Sequence, residues 1–162
     1  MKWKDMTPMA GLLVAACFVA LTLSPTTAAA GESKRNGPLH LTKECSTYTG
    51  AAGDHCTIVA SDFNQIAPFV SKIFYDQAIG IPNGLLDSNV VLDAGGINNR
   101  AVGRCTLDPG TGLGLCTFSD GTGSLAGFQA RLDVTCSATP PPTSVLVCRM
   151  DGTFNAGSKD DR

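Results

Sequence analysis

The stretch Ala101 to Thr135, AVGRCTLDPGTGLGLCTFSDGTGSLAGFQARLDVT, decides the fold. Near its end Phe128, Ala130, Leu132 and Val134 alternate with Gln129, Arg131, Asp133 and Thr135. That period of two belongs to a strand with one buried and one wet face. Upstream, Cys105 and Cys116 bracket Asp108-Pro109-Gly110-Thr111-Gly112, a turn-forming cluster between two β-rich runs. This reads as a hairpin whose ends a disulfide can join. Glycines 110, 112, 121 and 123 suit tight turns, and Phe118 and Phe128 are expected to pack the interior.

The same alternation of short β-rich runs with Gly, Pro, Asn and Asp clusters extends in both directions. Strands are predicted over Leu39–Glu44, Thr57–Asp62, Lys72–Ala78, Asn89–Asp93, Arg100–Leu107, Leu113–Ser119, Ala126–Thr135 and Ser144–Phe154. No sustained helical period occurs after the N-terminal apolar run. The expected class is all-β, an eight-stranded antiparallel β-barrel, with a flattened sandwich as the runner-up. Ile58-Val59-Ala60, Val90-Val91-Leu92 and Val145-Leu146-Val147 are apolar on both faces, which calls for a second layer. A subunit interface is the preferred source of that layer. The segments Gly31–Pro38 and Ala156–Arg162 are polar and expected to be loose.

Residues 1–30 read as a secretory signal peptide. Lys2 and Lys4 precede the uncharged run Met9 to Leu23, and Ala28-Ala29-Ala30 suits cleavage before Gly31. The run is shorter than the roughly 20 residues a spanning helix needs, so no stable membrane insertion is expected. Val14-Ala15-Ala16-Cys17 offers a lipoprotein alternative, but would strand Phe18, Val19 and Leu21 beyond the cut. The expected location is secreted or periplasmic, with residues 31–162 as a single domain.

Cleavage at Gly31 removes Lys2, Lys4 and Asp5 and leaves 10 basic and 13 acidic side chains. With no dense basic run, nucleic acid is excluded as a partner. Cleavage also removes Cys17, leaving an even set: Cys45, Cys56, Cys105, Cys116, Cys136 and Cys148. Behind a signal peptide such a set points to disulfides. Six cysteines allow 15 connectivities. Each neighbouring couple encloses a turn-rich stretch, so Cys45 is expected to pair with Cys56, Cys105 with Cys116, and Cys136 with Cys148.

In Gly103-Arg104-Cys105-Thr106-Leu107-Asp108, Thr111-Gly112-Leu113-Gly114-Leu115-Cys116-Thr117-Phe118-Ser119, Gly121-Thr122-Gly123 and Gly127-Phe128 the chain resembles the allene oxide cyclase and dirigent barrel superfamily, including secreted bacterial-type allene oxide cyclase barrel-like proteins. Asp54-His55-Cys56-Thr57-Ile58, Leu86 to Leu92 and Asp151-Gly152-Thr153-Phe154 add weaker support. The resemblance covers most of the chain after residue 30, but it rests on turns and packing. It implies an eight-stranded barrel, often a trimer, whose lumen in some members steers cyclisation or coupling of an apolar molecule. Superfamily catalytic sets align onto no position here, so none is carried over.

Familiar catalytic constellations fail on inspection. Ser124 lacks the flanking glycines of a nucleophile elbow. No Cys-x-x-Cys occurs, and His40 and His55 both lie near the N-terminal end, which disfavours a zinc site. Gly110-Thr111-Gly112-Leu113-Gly114 lacks the lysine of a phosphate loop. No cofactor is expected. The remaining lumen candidates are Tyr75, sharing a face with Ile73; Arg104, between Val102 and Thr106; and Arg149, following Val145 and Val147 by alternation. Inside a barrel these could orient a carboxylate or steady negative charge on an oxygen. Asp76 is a weaker candidate for proton transfer. Each has a plainer reading as rim, interface or core. Three functions stay open: a cofactor-independent cyclase or isomerase acting on a small apolar molecule, a non-catalytic secreted binder, and a structural or interaction protein with a filled barrel.

Overall fold

The computed structural model describes residues 36–78, 85–141 and 144–157. The signal peptide and the cleavage site expected over residues 1–31, like the tail after Gly157, fall outside them. Eight strands follow in chain order: β1 (Asn36–Glu44), β2 (His55–Ser61), β3 (Lys72–Tyr75), β4 (Leu86–Asp93), β5 (Arg100–Asp108), β6 (Leu113–Ser119), β7 (Phe128–Ala138) and β8 (Leu146–Ala156). Each pairs with the next, and β8 returns to β1, closing an antiparallel barrel. Closure leaves no open sheet edge.

The strand positions follow the sequence pattern, with shifts that have local causes. Asn36 to Pro38, expected to be loose, extend β1 because they lie opposite Asn155, Phe154 and Thr153 of the closing strand. The third strand stops at Tyr75, where the chain turns and the Asp76 amide donates to the Asn89 carbonyl at 3.1 Å. A 3₁₀ turn, Gly123–Leu125, precedes β7 and buries Leu125. On β8, Gly152 lies between Leu39 of β1 and Leu132 of β7, and an added Cβ would come within 2.0 Å of the Arg131 carbonyl oxygen. Glycine at such a point lets a neighbouring backbone approach.

The three disulfides are those expected: Cys45–Cys56, Cys105–Cys116 and Cys136–Cys148. Cys105 faces Cys116 across β5 and β6, and Cys136 faces Cys148 across β7 and β8. Alternation on antiparallel strands puts directly opposed residues on the same face. The bridges therefore join side chains already neighbours and hold hairpin register.

The two ends of the lumen differ. At one end Phe63, from the connection between β2 and β3, meets Phe128 and Phe154, and Ile66 and Leu125 belong to the same buried core. The ring of Phe63 lies 4.5 Å from that of Phe154 and 5.8 Å from that of Phe128. Ile66, Leu125 and Phe128 are completely buried, and each large apolar side chain removed from water stabilises by about 1.5–3 kcal/mol. This end is plugged. The other end gathers the second halves of the odd strands and the first halves of the even ones, and with them the six cysteines of the described residues.

Candidate functional site

The cysteine end holds a recess of about 50 Å³. Its walls are sulfur and hydrocarbon: the three disulfides with Leu86, Leu107, Val134 and Leu146. Among the polar side chains that line it, Lys43 and Tyr75 are only 4% and 8% exposed. Lys43 is inward because it continues the parity of Leu39 and Leu41 on β1, and Tyr75 because it continues that of Ile73 on β3.

The Lys43 ammonium donates to the Tyr75 hydroxyl at 2.7 Å. Its Nζ also sits 5.4 Å from the Tyr75 ring centre, within range for attraction of a cation to an aromatic face. The Tyr75 Oη lies 3.7 Å from Cys56 Sγ; a disulfide sulfur has no proton, so only the phenol can donate there. Tyr48 covers Tyr75 with ring centres 4.8 Å apart. Burial, followed by the neighbouring Tyr75 and Asp54, pushes the Tyr48 hydroxyl up to about 12.

Charge in the recess is unbalanced. Asp87 also lines it, but Arg104 engages both of its carboxylate oxygens, through Nε at 2.7 Å and through Nη2. Among the described residues no carboxylate lies within salt-bridge distance of Lys43. The buried Ser88 hydroxyl donates to the Asn89 carbonyl at 2.8 Å. The recess thus offers hydrogen-bond donors in an apolar surround, without a free carboxylate beside them to act as a base.

Of the residues singled out in the sequence, the structure places Tyr75 in the lumen and the others outside it. Arg104 and Arg149 are 61% and 74% exposed. Each follows or precedes an inward cysteine, Cys105 or Cys148, so alternation turns it outward. Asp76 is exposed beyond the end of β3, on an outer groove with Asn89, Arg104 and Thr117. Arg149 reaches Asp151 at 3.9 Å, while Asp151 sits 2.7 Å from His40. Lys43 was missed, although the spacing Leu39-x-Leu41-x-Lys43-x-Cys45 carries the signal.

The six cysteines of the described residues are oxidised and unavailable as thiolate ligands. Among the described residues no group of three or more His, Cys, Asp or Glu is placed to hold a metal ion. No described helix is long and apolar enough to cross a membrane. No family model, curated protein or solved structure gives a significant match to the chain.

Proposed function

We propose that the domain is a secreted binding protein, similar to the allene oxide cyclase and dirigent barrels, that takes the end of a small, largely apolar molecule into its cysteine end. The buried Lys43–Tyr75 pair in an apolar recess carries this reading. Ligand sites are typically apolar concavities with a few convergent polar groups. Three disulfides compatible with an oxidising compartment support secretion.

Size argues for binding over cyclisation. A recess of about 50 Å³ is well below the roughly 300–1,000 Å³ of pockets that enclose drug-sized ligands. An enzyme that folds an oxidised fatty acid into a ring must surround the reacting segment, and the plugged half of this lumen leaves no room for it. Native mass spectrometry of protein from its own secreted fraction tests the proposal. Co-purified small molecule on the oxidised protein supports it; an empty protein that also takes up no added small ligand contradicts it.

A second role concerns the outside of the barrel. His55, Phe74, Val91 and Val102 follow one another as register partners across β2, β3, β4 and β5. Val102 is 47% exposed, and the Asp93–Arg100 and Asp87–Arg104 pairs flank this row. An apolar centre with a self-neutralised polar rim resembles a subunit contact, and a second copy of the chain is its proposed occupant. A homo-oligomer, with the trimer implied by the resemblance, follows.

A further inference from the structure

We propose that the recess at the cysteine end is an anion site, and that its ligand is a monocarboxylate with a slim apolar tail. The inference rests on the binding reading above and adds the chemistry of the ligand's head.

The Lys43 ammonium has three N–H donors. One is used on the Tyr75 hydroxyl, and no carboxylate of the described residues comes within reach of the others. A cation this deeply buried without a counter-charge is costly. Accepting from Lys43 leaves the Tyr75 proton with only the weak acceptor Cys56 Sγ at 3.7 Å, so a ligand oxygen can compete for it, and both side chains supply donors to the recess. Asp87, whose charge would repel an anion, is occupied on the far side by Arg104. The local field therefore favours negative charge.

Shape selects the kind of anion. One water-sized occupant takes roughly 10–15 Å³ on the same measure, so a recess of about 50 Å³ holds a carboxylate and the first carbon or two behind it. Leu86, Leu107 and Leu146 are half-buried around it, which suits methylenes and disfavours a hydrated di- or trivalent anion such as phosphate. A planar carboxylate can accept from both Lys43 and Tyr75, one oxygen each.

Isothermal titration of the full secreted protein with butyrate, and separately with butyramide and 1-butanol, separates the possibilities. Butyrate is expected to bind at least tenfold more tightly than either neutral analogue. Lys43→Met is expected to remove that preference, and Tyr75→Phe to weaken butyrate several-fold. The wild-type comparison decides the matter even where a variant fails to fold. Equal binding of butyrate and butyramide overturns the anion assignment and leaves the small-molecule binder standing. Binding of none of the three probes overturns both. Butyrate binding that survives in a folded Lys43→Met protein overturns the role of Lys43.

Discussion

Lys43 and Tyr75, on strands that are not neighbours in the barrel, meet inside the lumen through a 2.7 Å hydrogen bond. The consequences of removing either partner are unequal. Tyr75→Phe leaves a buried ammonium without the phenol and should destabilise by about 1.5–3 kcal/mol, the usual range for a hydrogen bond to a charged group. Lys43→Met replaces the charge by an uncharged thioether chain of similar length and should be neutral or stabilising. Urea unfolding of both variants checks this; equal losses would contradict the assignment of Lys43 as a buried, uncompensated charge.

The disulfides stabilise chiefly through the unfolded chain. Closing a loop as short as that between Cys136 and Cys148, separated by 12 residues, is worth about 3 kcal/mol on the chain-entropy model. Replacing both cysteines by Ala should lower unfolding free energy by about 2–3 kcal/mol while the far-ultraviolet spectrum stays that of a β-protein. An unchanged urea midpoint would show that strand register holds without the bridge.

How much of this was visible in the sequence depends on where the pattern had an anchor. The hairpin disulfides, the barrel and the buried face of β7 were legible, because alternation at Phe128 to Thr135 and paired cysteines flanking turns admit few arrangements. The parity of Arg104 and Arg149 was misjudged by taking β-branched neighbours as inward. The oxidised cysteines beside them fix the interior face, and from Cys105 and Cys148 both arginines follow as outward. The plug was not legible: Phe63 and Ile66 lie in a connection without periodicity, and only barrel closure brings Phe63 to Phe128.

Both limbs of the pH profile report on the loops at the cysteine end. Asp54 Oδ2 accepts from the Thr49 hydroxyl, the Thr49 amide and the Ala51 amide at 2.7, 2.7 and 2.9 Å. The Thr49 side chain, then the backbone donors, hold its carboxyl below the ordinary 3.8. A lowered native value contributes stability above the unfolded value and loses it as pH falls through the native one. Asp108 behaves alike through the Gly110 amide. Stability should therefore decline below pH 3.8, and Asp54→Asn should flatten that limb. Tyr48 acts at the other extreme. Its native value of about 12 against an ordinary 10.0 makes its contribution complete below pH 10 and lost as pH rises toward 12. Chemical denaturation as a function of pH, with Tyr48→Phe as control, measures both.

The outer row gives a prediction about assembly. If Val102 contacts a second copy, Val102→Asp places a charge in an apolar contact and should dissociate the oligomer without unfolding the barrel, since this side chain is outside it. Light scattering at micromolar concentration should give a multiple of the subunit mass for the wild type and a single subunit for the variant. A monomeric wild type would contradict the proposed contact.

The central claim is that the recess beneath the three disulfides receives a ligand's end. Amide chemical-shift mapping of the isotopically labelled protein, titrated with short monocarboxylates and their amides, tests it most directly. The predicted result is a saturable set of shifts confined to Lys43, Tyr75, Ser88, Val134 and Leu146, around the recess. Shifts centred instead on the exposed Phe69 and Ile97, or no saturable shifts at all, would contradict it.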